Sequence, residues 1–522
     1  MAKILICDPL QRKALDIMGK RHQVIDMPRI TRDELLEQVG DVDALVVRAR
    51  TSVDSEVISK GKNLKVIARA GVGTDNIDVD AATQRGVLVA NSPDPSINAV
   101  AEHTFTLLLG VCRHVVRAHE TLKAGELGKG DLVGTEIGGK TLGIVGLGRI
   151  GTRVAMIAKG FGLNAIAADP YASPAYAEKY GAELVTLDEL LARSDFITLH
   201  VPLTGSTRHL IGKEQLALMK PTAILINTAR SEVLDSDALL EALKAKRILG
   251  AGLDVFEEGR AAELARYSNV LMTPHIGAST KEAQSQIAEL IATEVVDALE
   301  GRPTRNPVNM PYVDRKTLEI LQPYLHLTGK MVRVISRFIV GNPGLISVSL
   351  LGEAGDIEHP DFLLRNVVLG ILSPFHEVNI VNAMAAAERM GMKTEISRGT
   401  GRDSYLSSIE IGVRTPEDFH AIKGALVDSD KPRIVGLLGY ELEFVPEGHI
   451  LITQHMDVPG MVGMVGTKLG SAGVNIATMQ LARKKIGGQA MMIIQTDKEV
   501  RGDLVQDIGK IKGVSRVEAL SL

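Results

Sequence analysis

Cysteine is almost missing from the 522 residues: Cys7 and Cys112 are the only two. They form no CxxC pair and no evenly spaced framework, which excludes a disulfide-stapled secreted domain, and no metal is assigned. Both lie in apolar stretches that read as a strand and a helix, so core thiols in a reducing compartment are expected. An excess of one charge is also missing, with Lys+Arg at 59 against Asp+Glu at 63. That balance supplies no polyanion-seeking field and argues against nucleic acid as a partner, while leaving room for a local basic cluster around a phosphate. Long apolar runs are lacking too. The opening MAKILICDPL reaches only four apolar residues before Asp8, far short of a signal peptide's apolar region. The longest apolar helical stretch, 105–112, is too short to span a bilayer. A cytoplasmic protein without membrane contact is the expectation.

What is present is length and apolar content. A chain of 522 residues that is 45% hydrophobic can bury several cores, and its length corresponds to ~3–4 domains. Short β-rich runs at 3–7, 44–48 and 66–70, each followed by polar turn residues and a helical pattern, have the rhythm of a parallel α/β sheet. One long apolar helix over 98–124 leads to a second set of strands at 141–146, 164–169, 196–201, 223–227, 250–255 and 270–273, read as a doubly wound domain. A helical pattern over 281–300 stops at Gly301-Arg302-Pro303. After the linker 306–311 small residues become frequent, and a strand at 346–351 with an Ala/Met-rich helix at 381–390 predicts a third α/β domain. Beyond Pro446-Glu447-Gly448-His449 the order is strand 450–454, helix 461–472, strands 475–482 and 490–496, helix 501–510 and strand 514–520, a ferredoxin-like βαββαβ module.

Three motifs carry chemistry. The strongest is the run from strand 141–145 into Gly146-Leu147-Gly148-Arg149-Ile150-Gly151, a GxGxxG between a strand and a helix. Its glycines permit a tight turn, close approach of a pyrophosphate and close helix packing, with the helix N-terminus facing the phosphates. Asp169 ends the next strand, where a carboxylate accepts from ribose hydroxyls and repels a 2′-phosphate, which favours NAD over NADP. The second motif is Asn227-Thr228-Ala229-Arg230, an arginine just past a buried β-run, at the sheet edge where open α/β sheets bind ligands. A guanidinium there can grip a carboxylate by two parallel hydrogen bonds, although a solvated loop arginine fits the same pattern. The third is Thr273-Pro274-His275-Ile276-Gly277, a histidine on a proline-fixed turn after a strand. Imidazole suits proton exchange near neutral pH; such a histidine alone is also compatible with a packing role.

Together these motifs resemble the D-isomer-specific 2-hydroxyacid dehydrogenase family over roughly residues 1–305. The resemblance is supported by Arg69-Ala70-Gly71-Val72-Gly73-Thr74-Asp75-Asn76-Ile77-Asp78, Ala101-Glu102-His103-Thr104, His200-Val201-Pro202-Leu203 and Leu253-Asp254-Val255-Phe256. It implies a Rossmann-type nucleotide domain inserted in a flavodoxin-like substrate domain, with catalysis in the cleft between them. It implies His275 as general acid/base, Arg230 as the grip on the substrate carboxylate and Asp254 at the nicotinamide carboxamide. Gly146, Gly148, Arg149, Ile150, Gly151, Asp169, Thr228, Ala229, Ile276, Gly277 and Ala278 would complete the NAD site. The sequence departs from the family at the glutamate that orients the histidine. Where Glu-Pro is expected this chain has Gly259-Arg260, so Glu258 is the remaining candidate if the shortened loop shifts by one residue. Ser231 stands where the family has glycine, and Pro95-Ser96 replaces Gly-Asn in the substrate loop.

The rest of the chain narrows the expectation. Residues 309–447 resemble the intervening allosteric domain of the family's long, phosphoglycerate-oxidising members, and 448–522 resemble an ACT domain, carried by His455-Met456-Asp457-Val458-Pro459-Gly460 and Gly473-Val474-Asn475-Ile476. The implied layout is a substrate domain (1–98 and 284–308), a nucleotide domain (99–283), the intervening domain and the ACT domain. The implied reaction is oxidation of 3-phosphoglycerate by NAD, with L-serine as effector at His455, Asp457 and Asn475, in a homotetramer. Arg48, Arg50 and Arg69 follow two strands of the first domain and, with Val72 and Gly73, form the expected phosphate-binding cluster. A glyoxylate or hydroxypyruvate reductase, and a non-catalytic NAD(H)-sensing protein, remain open alternatives at this point.

Overall fold

The computed structural model describes residues 1–125, 132–399, 405–428 and 430–522. Its first sheet is wholly parallel, with strands Lys3–Ile6, Gln23–Asp26, Ala44–Val47, Val66–Arg69 and Leu88–Asn91 in the spatial order second, first, third, fourth, fifth. That is the flavodoxin-like order. The central strands are buried on both faces, as parallel sheets covered by helices are. Three of the five strands match sequence expectations. Gln23–Asp26 leaves no clear sequence signal because it is a half-exposed edge strand without clean alternation. Leu88–Asn91 is not among the expected strands, although the Gly86 helix stop and the apolar run 87–90 signal it. The helix Lys281–Leu299 returns to this sheet, where Ile287, Ile291 and Val295 pack with Ile4, Ile6 and Val66 in one core.

The second sheet is a seven-stranded parallel sheet built from Thr141–Val145, Asn164–Ala168, Ala182–Leu184, Phe196–Leu199, Ile224–Asn227, Gly250–Leu253 and Val270–Met272. Numbered within the domain, the order is 3-2-1-4-5-6-7, the doubly wound dinucleotide arrangement with one strand added. The three-residue edge strand Ala182–Leu184 is too short to leave a sequence pattern. The expected single helix over 98–124 is two helices, Ile97–Cys112 and Val115–Lys123. The break is at His114, whose φ of 51° leaves the helical region, and the freed Cys112 carbonyl accepts from the Thr135 N–H at 2.8 Å.

The third domain is more strand-rich than expected. Beside Leu345–Gly352 and its parallel neighbour Lys393–Gly399 run four successive antiparallel strands, Ser407–Arg414, Phe419–Val427, Lys431–Leu437 and Tyr440–Phe444. Helices Arg315–Ile335, Pro360–Leu372 and Ala383–Arg389 cover one face. The last domain follows the expected βαββαβ order: His449–Met456, Met461–Ser471, Ile476–Arg483, Gln489–Thr496, Gly502–Gly509 and Val514–Ser521. It is not a free-standing module. Leu451, Met492 and Ile494 face its own helices, whereas Ile450, Ile452, Met491 and Ile493 point the other way and join the third domain's core.

The exit from the first two domains is also built in. Val308 N–H donates to Val89 O at 2.7 Å, Pro307 forms an antiparallel bridge with Ala90, and Asn309 Nδ2 donates to Val87 O at 2.9 Å, so the linker lies along the edge of the first sheet. Buried Glu294 accepts from the Arg305 N–H and from Asn306 Nδ2 and fixes the start of this segment. Asn379 of the third domain donates to Gly86 O at 2.8 Å and docks that domain onto the domain of the first sheet. Among the described residues no helix is long and apolar enough to cross a membrane.

Candidate active site

The central strand Thr141–Val145 ends in Gly146, whose φ of 93° and closeness to the His200 carbonyl leave no room for a side chain. Gly148 then starts the helix Arg149–Gly160, and no side chain caps it, so its first-turn N–H groups remain available to an anion. A Cβ at Gly151 would run into the Gly146 carbonyl, while one at Gly148 would meet nothing within 4 Å. The turn is therefore packed tightly beneath and open above, which fits a dinucleotide pyrophosphate. Asp169 accepts from the Leu147 N–H at 2.8 Å and from the Tyr171 N–H at 2.8 Å. The carboxylate expected at the ribose thus also fixes the glycine turn. Arg149 reaches across the cleft, with Nη1 3.2 Å from Asp94 Oδ1 of the substrate loop.

Arg230 is positioned by its own turn. The Asn227 side chain donates to Arg230 O at 2.9 Å and accepts from the Ala229 N–H at 3.0 Å, closing residues 227–230 at the end of strand Ile224–Asn227. Thr228 is anchored to Thr104, Oγ1 to Oγ1, at 3.1 Å. The Arg230 guanidinium donates from Nε to Asp75 Oδ2 at 2.8 Å, linking the nucleotide and substrate domains. Arg69 lies beside it, its buried Nε without an acceptor. Burial, then the neighbouring Arg230 and Arg48, bring its pKa down to about 10, so three guanidiniums face one region. The N–H groups of Val72 and Gly73 donate no hydrogen bond within the described residues. A half-buried guanidinium whose Nε lacks an acceptor, beside free amides, is costly unless an anion completes it.

His275 stands on the turn after strand Val270–Met272 with φ of 54°, a conformation that costs a non-glycine residue energy and needs support. Asp254 supplies it. Its carbonyl accepts from the His275 N–H at 2.9 Å, and its carboxylate accepts from the Ile276 N–H at 2.9 Å and the Gly277 N–H at 2.8 Å. Ala278 O accepts from Gln284 Nε2. Burial holds the imidazole below the ordinary histidine range; Asp254 opposes this, Arg230 and Arg69 add to it, and Asp75 opposes it. His275, Arg230, Arg69 and Asp75 thus share one electrostatic neighbourhood. A cleft of about 820 Å³, lined by none of these four, is bordered by Val72, Asn91, Asp94, Arg149, Arg305 and Tyr312, among others.

Some expected site residues are not brought together. Glu258 is exposed at the start of the turn Glu258–Arg260 and makes no hydrogen bond to His275 among the described residues; Gly259 faces open space. Arg50 is engaged elsewhere: Nε pairs with buried Asp8 at 2.9 Å and Nη2 donates to Cys7 O and Pro28 O, making it a strut. Of the three arginines expected at a phosphate, Arg50 is thus taken up within its own domain. Asn475 is separated from His455 and Asp457. The strand pairings put Ile476 opposite Thr496, and Thr496 opposite His449, so Asn475 lies at the far end of the strand from His455, six residues or about 20 Å away. His455 is buried, with Nδ1 on Met456 O and Nε2 without a partner, while Asp457 accepts from Arg483 at 3.0 Å. Two residues escape sequence reasoning, Asp75 and His103. Both sit inside runs that serve only as support for the family resemblance, and neither carries a spacing signal of its own.

Comparison with known proteins matches this geometry. Residues 105–277 match the NAD binding domain of the D-isomer specific 2-hydroxyacid dehydrogenases, and residues 320–438 match the D-3-phosphoglycerate dehydrogenase intervening domain. The chain is 41% identical to the D-3-phosphoglycerate dehydrogenase of Methanocaldococcus jannaschii, covering 100% of both chains. It is 34% identical to that of Bacillus subtilis, again over 100% of both. Among solved structures, the TT0316 protein from Thermus thermophilus is similar at 36% identity and a TM-score of 0.55, covering 59% of this chain and 99% of its own. D-lactate dehydrogenase from Aquifex aeolicus, at 31% identity and a TM-score of 0.52, covers the same 59% and 99% of its own chain. Catalytic half, intervening domain and full length all agree, and the chain belongs to the D-3-phosphoglycerate dehydrogenase family of NAD-binding 2-hydroxyacid dehydrogenases.

Proposed function

We propose that the cleft oxidises 3-phospho-D-glycerate to 3-phosphohydroxypyruvate, the first step of L-serine synthesis, with His275 as acid–base and Arg230 as carboxylate anchor. Bound NAD supplies the hydride acceptor. Gly148 leaves room for its pyrophosphate above the tight turn that Gly146 and Gly151 pack, and the first-turn N–H groups of the Arg149 helix face it. Asp169 receives the ribose hydroxyls, and the Thr228–Ala229 and Ile276–Ala278 turns border the nicotinamide. Arg230 exchanges Asp75 for the substrate carboxylate and stabilises the carbonyl that develops at C2. His275 takes the C2 hydroxyl proton as hydride leaves. Arg48, Arg69 and the amides of Val72 and Gly73 hold the phosphate. Cleft closure, with loss of the Asp94–Arg149 pair, brings the two domains into line.

The observation that carries this reading is Arg69, whose buried Nε has no acceptor and whose guanidinium lies in the field of Arg230 and Arg48, an arrangement suited to a dianion. A glyoxylate reductase would have no use for it. The test is NAD reduction with 3-phosphoglycerate against unphosphorylated D-glycerate. A preference of at least about 100-fold for the phosphorylated acid is expected, since two charge-assisted contacts are at stake. Equal use of both acids refutes the phosphate assignment.

The domain division stated from the sequence, a cytoplasmic location, a homotetramer and serine feedback belong to the same proposal. The strand Ile476–Arg483 is an edge of the last sheet, with no ladder on its outer side among the described residues. Its antiparallel pairing with a second copy would set Asn475 of one chain near Arg483 and Asp457 of the other, completing a serine site that a single chain leaves divided. Calorimetry on the full-length protein tests this; no serine binding at millimolar concentration removes the effector assignment.

A further inference from the structure

The family glutamate is missing at Gly259, and Glu258 does not reach the imidazole, so another group has to hold His275 in place. The buried carboxylate nearest that task is Asp254. Its Oδ1 accepts from Thr273 Oγ1 at 2.6 Å and the Ile276 N–H at 2.9 Å, and its Oδ2 accepts from the Gly277 N–H at 2.8 Å. Behind it stands His103 on the helix Ile97–Cys112, with Nε2 at 3.2 Å from Asp254 Oδ1 and 2.9 Å from Thr273 Oγ1. Thr273 has one hydroxyl proton, and its short contact with Asp254 uses it. His103 Nε2 therefore carries the hydrogen and donates to both oxygens. The packing is close: a Cβ on Gly277 would stand 3.0 Å from Asp254 Oδ2 and 3.8 Å from His103 Cδ2.

We propose that His103 is a positioning residue of the reaction: its Nε2–H fixes the Asp254 carboxylate, and through that carboxylate it fixes the turn that presents His275. The inference rests on the acid–base reading of His275 given above. When His275 takes the hydroxyl proton it becomes an imidazolium beside Arg230 and Arg69, two cations that oppose it; Asp75 and Asp254 are the carboxylates that favour it. Asp75 is exposed and already engaged by Arg230, which leaves Asp254 as the buried counter-charge. His103 is the donor that joins this carboxylate to the helix Ile97–Cys112. The side chain touches neither substrate nor reacting atom, so its effect passes through Asp254.

The test compares His103→Ala, His103→Gln and Asp254→Asn in the full-length protein, as pH profiles of 3-phosphoglycerate oxidation, with NADH titration reporting an intact nucleotide domain. His103→Ala is expected to lower kcat by about tenfold, the worth of one charge-assisted hydrogen bond, with KM for 3-phosphoglycerate within about twofold. The acidic limb moves to lower pH, because weaker support for the imidazolium lowers the pH at which the base is lost. His103→Gln, which can still donate an amide hydrogen to Asp254, recovers most of kcat, and Asp254→Asn shifts the limb further. Thr273→Val removes the other side-chain donor to the same oxygen and gives a second reading if His103→Ala does not fold. Wild-type kcat and limb in His103→Ala, or equal losses in the Ala and Gln variants, overturn the proposal. So does a limb that moves in Glu258→Gln but stays in Asp254→Asn. His275→Ala tests the underlying reading separately: if it abolishes turnover while the His103 variants are silent, only the His103 assignment fails.

Discussion

Two glycines three residues apart separate folding from cofactor binding. At Gly151 an added Cβ would stand 3.1 Å from the Gly146 carbonyl carbon, with the carbonyl oxygen closer still and the Ile144 side chain at 3.3 Å. Because the obstacle is backbone, and Gly146 is held at φ of 93°, the helix or the turn has to move. Overpacking of this kind costs about 1–3 kcal/mol and is felt without any ligand. At about 2–4 °C per kcal/mol for a domain of this size, Gly151→Ala should lower the melting temperature of the nucleotide domain by roughly 2–12 °C, and NADH affinity with it. Gly148 is the opposite case. Its φ of −77° and ψ of −157° suit any residue, and a Cβ there meets nothing within 4 Å. Gly148→Ala should therefore melt like the parent yet bind NADH at least about tenfold more weakly, a loss of about 1.4 kcal/mol, because the methyl group enters the pyrophosphate's path. Fluorescence titration of NADH beside thermal melts of the free protein reads both. Parent-like affinity in Gly148→Ala refutes the placement of the cofactor over this turn.

Other outcomes follow from the same geometry. His275→Ala and Arg230→Ala should each cut turnover by at least about 100-fold, and near-normal steady-state rates in either would remove its assigned role. Asp169→Ala should narrow the preference for NAD over NADP, read as the ratio of kcat/KM; an unchanged ratio shows that the carboxylate does not set it. Asp254 is held down at about 2 by hydrogen bonds from His103, Thr273, Ile276 and Gly277 that outweigh its burial. Its stabilisation, about 2 kcal/mol, is present above the ordinary aspartate pKa and lost as pH falls through about 2, so Asp254→Asn should flatten the acid end of the stability curve. Deleting 448–522 should destabilise the third domain, since Ile450, Ile452, Met491 and Ile493 complete its core; an unchanged melt for that domain would contradict the shared core.

Legibility in the sequence follows the strength of local pattern. The strand-turn-helix of Thr141–Gly160 and the βαββαβ order after Gly448 are readable because hydrophobic period, glycine position and element length agree there. The strands from Ser407 to Phe444 are not. Their pairings are made along a meander whose turns carry weak signals, and whose registers shift at Lys423/Gly424 and at Ile434/Gly436. The break at His114 is hidden for a different reason. Apolar residues run to Cys112 and exposed Val115 and Val116 follow, so the composition stays helical across a point that tertiary hydrogen bonding interrupts.

For the site, the sequence could say which residues end up at sheet edges but not which way their side chains are already committed. Arg48, Arg50 and Arg69 look alike as arginines after strands. Only the fold distinguishes Arg50, tied down by Asp8 and two carbonyls, from half-buried Arg69, whose Nε has no acceptor. The same holds for carboxylates. Glu258, one residue from the family position, is the natural candidate by register, yet the turn holds it in solvent, while Asp254, fixed by its distance from the strand, reaches the histidine's turn through backbone hydrogen bonds no spacing rule describes. On the proposed acid–base reading of His275, the missing glutamate is offset because the turn is held by buried Asp254 with several donors. Gly259→Glu puts this to measurement. A Cβ at this position meets nothing within 4 Å, so the variant should fold as the parent does. If Asp254 and His103 already hold His275, the added carboxylate should raise kcat by less than about threefold; a gain of about tenfold or more would mean that the turn is under-supported without it.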